Sequence, residues 1–421
     1  MDTLPVELIR LIFEFCDGPS VRSLRLVSSF LAQVGYDYLI AAHFYGLAYR
    51  NHVKRLHAIA CHERLRGSIS VITFNFSPLA VHHQDLERQS ADLPPFHTQA
   101  ALLEEALAAL PNLQELEITY TKPPRPLSRT GEASPTVAHS PRRVCDRDRA
   151  LARLTLNALI TALRPTHLTA LTLDGVPLEL FRQAEDRRHW FGCARAPLAH
   201  LTRLDLAVDP PASLYPSARF RAVNGLGRVL QFTGPRLRRL ALRARPAHAP
   251  REKFALCFDA LLGGQGFVWP CLEELVLEGL SLAEADLRGF LVRHGATLRR
   301  LRLGGRGLAK AGEASVGGIH LHEGMFRALF AGLRGRLPVL ERFHMEGDFG
   351  AVDAAAAATL GTARARGLMQ FRAVAAEDWA ELVPAEQSLG EGQGRRMLDS
   401  VELERYLVRG GDFPRLVTRE D

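Results

Sequence analysis

Several features that define large classes of protein are missing from this 421-residue sequence. No stretch approaches the roughly 20 uninterrupted apolar residues of a membrane-spanning helix, and no basic segment precedes a long apolar run at the amino end. The six cysteines are scattered without a Cys-x-x-Cys pair, so neither a disulfide framework nor a zinc knuckle is indicated. We therefore expect an intracellular protein, cytoplasmic or nuclear, that has no membrane partner.

Signatures of catalysis and of metal or cofactor binding are equally scarce. The glycine-rich segments 263–266 and 304–307 lack the Lys-Ser or Lys-Thr ending of a phosphate-binding loop, and no Gly-x-Ser-x-Gly motif occurs. Neither His82-His83 nor the segment 320–323 has the His-Glu-x-x-His spacing that places two imidazoles on one helix face. We therefore predict a protein that is not an enzyme, with no catalytic residue, no cofactor and no metal ligand.

Lysine is rare in a chain that is otherwise basic. The net charge is +7 and Lys and Arg together number 53, yet lysine occurs only at Lys54, Lys122, Lys253 and Lys310. A basic balance is compatible with nucleic-acid binding when the basic residues cluster on one face. Because these arginines are spread along the whole chain, we rank nucleic-acid binding below protein binding.

The first part of the chain carries more apolar side chains than a small helical hairpin can bury. Pro5 suits the first turn of a helix, which should therefore begin there and end at 17–19, and Ser20 is the expected N-cap of a second helix. Two apolar rows run along the first helix: Leu8, Ile12 and Phe15, beside Ile9, Phe13 and Cys16. The second helix repeats apolar residues at Val21, Leu24, Val27 and Leu31. Apolar rows on this many sides of two short helices predict a partner that covers them, either the rest of the chain or another protein.

The order of residues in this segment resembles the F-box. The matching pattern is Leu-Pro-x-Glu at 4–7, an aliphatic-Phe pair at 12–13 and Leu-Arg-Leu-Val at 24–27, with Phe30 near the place of a Trp found in many members. In that family the segment is a helical module that binds the Skp-type adaptor of a cullin-RING ubiquitin ligase. The resemblance implies adaptor contacts at Leu4, Pro5, Leu8, Ile9, Ile12, Phe13, Leu24 and Val27. The plain alternative is an amphipathic hairpin packed on its own domain.

A second pattern, Leu-x-x-Leu-x-Leu, recurs along the rest of the chain. It is typical of leucine-rich repeats, in which each copy contributes one strand to a parallel sheet. Because strand side chains alternate, we expect the last two apolar residues of each copy to point into the core and their neighbours to point out. The copies span 113–118, 168–173, 201–206, 237–242, 272–277, 298–303 and, in weaker form, 339–345, and an eighth is indicated at 69–74.

These patterns predict an α/β protein with a small N-terminal helical F-box and an irregular leucine-rich-repeat solenoid, whose parallel sheet is covered by outer helices. A proline- and serine-rich insertion at 122–148 is expected to be disordered. Glycine after several strands, as at Gly175 and Gly279, predicts a turn. We place the F-box at 1–45, a helical connector similar to that of fungal F-box proteins at 46–67, the solenoid at 68–375 and a C-terminal cap or tail at 376–421.

Function is expected on the outward strand positions, where a solenoid offers a concave surface. The resemblance implies a substrate-recognition subunit of an SCF-type ubiquitin ligase, with the adaptor, a cullin and a protein target as partners. Since Arg forms paired hydrogen bonds with carboxylate and phosphate, we hypothesise an acidic or phosphorylated target segment. The predicted target-binding residues are Arg203, Asp205, Arg239, Glu274, Arg300, Arg302, Arg342 and His344. A solvated face with incidental charge, a scaffold unrelated to degradation and a basic nucleic-acid binder are the alternatives.

Overall fold

A computed structural model describes residues 4–47, 51–76, 96–120, 154, 157–186, 195–210, 216–245, 254–256, 258–262, 267–305, 317–351, 369–374, 395–414 and 417–419. The chain forms two compact units, one of residues 1–139 and 153–172 and the other of residues 140–152 and 173–421. The described residues are mixed α/β with parallel strands, as the sequence predicts. The insertion at 122–148 and residues 376–394 of the predicted tail lie outside them, and the predicted domain limits stay predictions.

Three short helices begin the first unit, α1 (Val6–Glu14), α2 (Gly18–Arg25) and α3 (Ser29–Val34), where the sequence suggested two. The cap of α2 is Asp17 and not Ser20, because the Asp17 carboxylate accepts a hydrogen bond from the Ser20 N–H at 2.9 Å. Hydrogen bonds from Ser20 also lower the pKa of Asp17. Ser28 caps α3 by accepting from the Leu31 N–H at 3.2 Å. This additional cap explains why the expected second helix is interrupted.

Strands and helices alternate in the rest of the first unit. In chain order they are β1 (His43–Leu47), α4 (His52–Ala60), β2 (Val71–Asn75), α5 (Ala100–Ala108) and β3 (Glu115–Thr119), and β4 (Ala170–Pro177) begins in this unit and ends in the second. β1, β2 and β3 are parallel neighbours in that order. The strand β1 has no counterpart in the sequence pattern, since its five residues become a strand through long-range pairing with β2.

The second unit contains the remaining elements. They are α6 (Glu179–Asp186), β5 (Arg203–Asp209), α7 (Pro216–Phe232), β6 (Arg239–Ala244), β7 (Phe254–Ala255), α8 (Phe258–Leu262), β8 (Glu274–Glu278), β9 (Leu280–Ala283), α9 (Glu284–Arg293), β10 (Arg300–Gly304), β11 (His320–Glu323), α10 (Phe326–Leu333), β12 (Arg342–Ala351), β13 (Met369–Val374), β14 (Arg395–Asp399), α11 (Ser400–Arg409) and β15 (Val417–Arg419). β5, β6, β8, β10 and β12 are parallel neighbours in that order. β7, β9, β11 and the end of β12 form a second parallel row, which β13 extends in the antiparallel sense.

The strand register explains the repeated apolar pattern. Leu240, Leu275 and Leu301, the fourth residues of their copies, are neighbours on β6, β8 and β10, and each is at most 3% exposed. The sixth residues, such as Leu277 and Leu303, are buried in the same way. The prediction that these positions face the core is confirmed. The third and fifth residues of each copy consequently lie on the opposite face of the sheet.

Two glycines occupy positions that reject a side chain. Gly279, directly after β8, has a φ of 70° in the left-handed region, which agrees with the predicted turn. A Cβ atom on Gly225 in α7 would lie 1.9 Å from the carbonyl oxygen of Phe181 in α6. The backbones of α6 and α7 are therefore in direct contact, a feature that no local pattern in the sequence indicates.

The helix α11 covers the edge of the first half of β12, ahead of residues 347–351, which pair with β13. The backbone N–H of Phe343 donates to the Glu404 carboxylate at 2.8 Å, and that of Met345 donates to the Ser400 hydroxyl at 3.0 Å. Leu403 and Tyr406 of the same helix are buried. Side-chain oxygens of α11 thus take the place of the carbonyls that another strand would supply, which protects the edge from pairing with a second chain.

Candidate functional site

The three N-terminal helices enclose a small core and leave a second apolar surface outside. The buried core consists of Ile9, Phe13, Val21, Leu31 and Val34. We call the remaining large side chains the outer apolar surface, and their exposed fractions lie between 38% and 89%. They are Leu4, Leu8, Leu11, Ile12, Phe15, Leu26, Val27 and Phe30. Contiguous exposed apolar surfaces are typical of interaction sites.

The predicted adaptor contacts divide between this surface and the core. The exposed ones are Leu4, Pro5, Leu8, Ile12 and Val27, and Leu24 is half-buried against the core. Ile9 and Phe13 are each only 2% exposed, so the structure assigns them to the core instead. The reason is that α1 carries two apolar rows, and α2, α3 and the segment 35–39, where Tyr38 stacks on Phe13, cover one of them. Leu11 and Leu26, which the resemblance did not name, belong to the outer apolar surface.

Tyr36 connects the helical module to the turn after α4 in the same unit. Its hydroxyl lies 2.7 Å from Nε2 of His62. The guanidinium carbons of Arg25 and Arg64 lie 5.1 Å and 4.6 Å from the centre of its ring, at cation–π distance. Arg64 also forms an ion pair with Asp37 at 2.8 Å. These contacts hold the module in one orientation against residues 62–64.

Charged side chains on the strand face of the second unit pair with one another across neighbouring strands. Arg239 on β6 donates to Glu274 on β8 at 3.2 Å. Arg302 on β10 donates to Glu346 on β12 at 2.6 Å, and His344 Nε2 lies 3.7 Å from the same carboxylate. These charges therefore stabilise the face itself before any partner arrives.

A denser network lies further along the same strands. The Glu278 carboxylate, 4% exposed, lies 3.1 Å from the guanidinium groups of both Arg243 and Arg245. Arg243 also pairs with Asp205, and Arg245 lies 3.7 Å from Asp174. Burial lowers the pKa of Arg245, but the carboxylates of Glu278, Asp174 and Asp205 together outweigh this effect and leave the pKa above its ordinary value. A network that compensates its own charges in this way is a structural feature rather than a site of proton transfer.

The predicted target-binding residues lie where the sequence placed them, on the third and fifth positions of five parallel strands. One row across the strands consists of Arg203, Arg239, Glu274, Arg300 and Arg342, and the next contains Asp205, Arg302 and His344. Four of these residues are already engaged in ion pairs within the sheet and are less available to a target than the sequence suggested. They are Asp205, Arg239, Glu274 and Arg302. Sequence reasoning could not have found these pairs, because they join residues on different strands.

The buried histidine His294 is a structural residue that the sequence analysis did not single out. Its Nε2 accepts a hydrogen bond from the Trp269 backbone N–H at 3.1 Å, and its Nδ1 lies 2.9 Å from the Phe290 carbonyl oxygen. Burial lowers the pKa of His294. A neutral ring that donates through Nδ1 and accepts through Nε2 satisfies both contacts. The residue therefore positions Trp269 and is not available to a ligand.

Comparison with known proteins does not assign a function to this chain. No protein-family model matches the sequence, and no curated protein matches it. Within the described ranges, no helix has both the length and the apolar character needed to cross a bilayer. Function must therefore be inferred from the outer apolar surface and from the paired charges of the strand face.

Proposed function

We propose that this protein is the substrate-recognition subunit of a cullin-RING ubiquitin ligase of the SCF type. Its three N-terminal helices act as an F-box that binds the Skp-type adaptor, and its leucine-rich strands form an irregular repeat solenoid that holds a protein target. One observation carries the proposal: helices that already enclose a core of their own leave a row of large apolar side chains uncovered.

The arrangement of the outer apolar surface suits a partner helix. Leu8 and Ile12 on α1 and Phe15 directly after it follow one another at spacings of four and three, so they form a ridge that packs into a groove. Covering one such side chain contributes roughly 1.5–3 kcal/mol to a complex. A few anchors of this size account for most of the affinity of typical interfaces. The surface therefore supports stable docking without any charged contact.

A receptor of this kind promotes ubiquitin transfer by holding the target close to a separately bound conjugating enzyme. Orientation and effective concentration supply the rate gain, and no bond-making group of this chain takes part. The contacts of Tyr36 with His62 and Arg64 serve this role, since they restrict movement of the adaptor-binding helices against the turn that follows α4.

Capture of the adaptor and cullin by the purified full chain tests the proposal. We expect Ile12→Ser and Val27→Ser to abolish capture, since each places a hydroxyl in an apolar contact. The matched control is Val268→Ser in the second unit, where Val268 is 41% exposed and Ile12 is 42% exposed. Absence of adaptor from the wild-type complex, or equal loss with Val268→Ser, would contradict the proposal and favour a leucine-rich-repeat scaffold unrelated to degradation.

Nucleic-acid binding is the less favoured alternative. The arginines on the strand face are largely neutralised, since Arg239, Arg243, Arg245 and Arg302 all pair with carboxylates. A nucleic-acid interface needs cations that are free to replace counterions on phosphates. A steep loss of affinity for bulk RNA or DNA with rising salt, at a slope of several released ions, is the result that would restore this alternative.

A further inference from the structure

We propose that Arg300 and Arg342, side by side on β10 and β12, bind a carboxylate or phosphate group on an acidic peptide segment of the target. The inference rests on the proposed function and deepens it. It reduces the eight residues predicted to bind the target to two, and it names the chemistry that they recognise.

Several arginines of the strand face are already neutralised by carboxylates on neighbouring strands. Arg239 bonds Glu274, and Arg302 bonds Glu346 with side-chain exposures of only 26% and 14%. Arg243 and Arg245 belong to the network around Glu278. An incoming anion would have to displace a buried or half-buried carboxylate at each of these positions, so its binding there would gain little.

Arg300 is in a different situation. It is exposed, and it has no ion-pair partner within the part of the chain that the structure describes. Glu274, its neighbour in the register on β8, accepts from Arg239 instead. Glu341 near the start of β12 pairs with Arg299. The carboxylates closest to Arg300 along the strands are therefore bound to other arginines.

Arg342 adds a second cation that is only weakly held. Its side chain is 68% exposed, and its contact with Glu404 is 3.5 Å long. An exposed guanidinium gains little from an ion pair of this length, so a ligand anion can replace or share this partner. Arg342 thus keeps most of its capacity to donate hydrogen bonds.

The register places the two guanidinium groups on the same face. Arg300 and Arg342 are direct partners in the parallel pairing of β10 with β12, and both occupy the third position of their copies. Neighbouring strands are roughly 4.8 Å apart, so one anionic group fits between two such side chains and accepts paired hydrogen bonds from each. Two like charges at adjacent positions repel each other, and an anion between them removes that cost.

An acidic peptide fits this site better than a polyanion. A peptide offers one or two anionic groups at defined positions, whereas a nucleic acid needs a continuous row of free cations. The neighbouring pairs Arg239–Glu274 and Arg302–Glu346 are neutral as units, so neither adds positive charge to that of Arg300 and Arg342. Carboxylate and phosphate share the required chemistry, and the experiment distinguishes them.

The test measures binding of fluorescent synthetic peptides to the purified full chain by anisotropy at 0.15 M salt, a concentration at which distant charges are screened beyond about 8 Å. One peptide carries two adjacent glutamates in a Gly-Ser sequence, a second carries phosphoserine at the same place, and a third carries lysine. We expect the anionic peptides to bind and the lysine peptide not to bind. If only the phosphopeptide binds, the ligand is a phosphate group. If both anionic peptides bind, a carboxylate is sufficient for recognition.

The variants locate the site. We expect Arg300→Gln and Arg342→Gln each to weaken binding about tenfold or more, which corresponds to loss of a charged hydrogen bond. The matched control is Arg238→Gln, since Arg238 has a similar exposure, 64%, and a similar ion pair of 3.5 Å but lies before β6 and away from Arg300 and Arg342, and it should change the affinity less than about twofold. Failure of both anionic peptides to bind, or an equal loss in the Arg238→Gln variant, would overturn the site.

Adaptor capture by the same proteins separates this inference from the proposed function. If the chain captures the adaptor but binds no peptide, the proposed peptide site is refuted and the proposed function is not. Peptide binding that depends on Arg300, in a chain that captures no adaptor, supports the site and contradicts the ligase role.

Discussion

The helices at the two ends of the chain bury their apolar side chains to different extents. In α11, Leu403, Tyr406 and Leu407 are all at most 8% exposed, and the polar Ser400 and Glu404 bond the edge of β12. In α1, by contrast, one complete apolar row stays outside while the other fills the core. Both helices are short and amphipathic, so the difference comes from what each one packs against.

This contrast shows that apolar exposure is a local property of the N-terminal module. The helix α11 has a sheet edge as its partner, whereas the described neighbours of α1 are α2, α3 and the segment 35–39, which together cover one of its two apolar rows. The exposed row is the surface that the proposed adaptor would cover. The four predictions below test the comparison, from the largest expected change in stability to the smallest.

The sharpest test uses two phenylalanines two positions apart. Phe13 is 2% exposed and Phe15, directly after α1, is 84% exposed. We expect Phe13→Ala to lower the free energy of unfolding by about 3–5 kcal/mol, because it leaves a cavity in the module core. Phe15→Ala should change it by less than about 0.5 kcal/mol. Urea unfolding of the full chain, followed by circular dichroism, measures both, and equal losses would remove the distinction between the two rows.

The next prediction concerns the covered helix. Leu403 is fully buried, so Leu403→Ala should destabilise the second unit by about 2–5 kcal/mol. Val401 in the same helix is 44% exposed, and Val401→Ala serves as the control with an expected change below about 0.5 kcal/mol. Thermal unfolding monitored by calorimetry compares the two variants. A small effect at Leu403 would mean that α11 is not needed to cover β12.

A smaller loss is expected when one edge hydrogen bond is removed. Ser400→Ala leaves the buried Met345 N–H without its acceptor, at a cost of about 1–3 kcal/mol. Glu404→Gln keeps an oxygen for the Phe343 N–H and should cost less. Urea titration gives the stability of each variant, and size-exclusion chromatography reports whether the opened edge pairs with a second chain. Unchanged stability with Ser400→Ala would show that the edge is satisfied in another way.

The smallest change in stability is expected for a substitution on the outer apolar surface. Leu26 is 89% exposed, so Leu26→Ser should alter the free energy of unfolding by less than about 0.5 kcal/mol. Adaptor capture, in contrast, should fall, because the proposed interface loses an apolar anchor. Pull-down and urea titration of the same preparation measure the two effects. A clear loss of stability would indicate that the outer apolar surface packs on this chain.

The parallel strands were predictable from the sequence because their signal is local. Each Leu-x-x-Leu-x-Leu copy carries the alternation that places residues such as Leu301 and Leu303 inside the sheet. The strand β1 was missed, since its residues show no such alternation and depend on pairing with β2. The break before α3 was missed as well, because the cap formed by Ser28 interrupts an otherwise regular helical pattern.

For the candidate sites, the sequence was enough to predict which group of residues is involved but not the role of each residue. The order of residues near the amino end was enough to indicate an apolar surplus, and the strand positions were enough to identify an outward face. Packing alone decided that Phe13 lies inside while Ile12 stays outside, since helices α2 and α3 select one of two equivalent rows. Packing also decided which cations are paired: Arg239 and Glu274 are 35 residues apart in sequence and become neighbours only through strand register. Charge partners chosen over such distances are a property of the folded sheet, because no local sequence pattern encodes them.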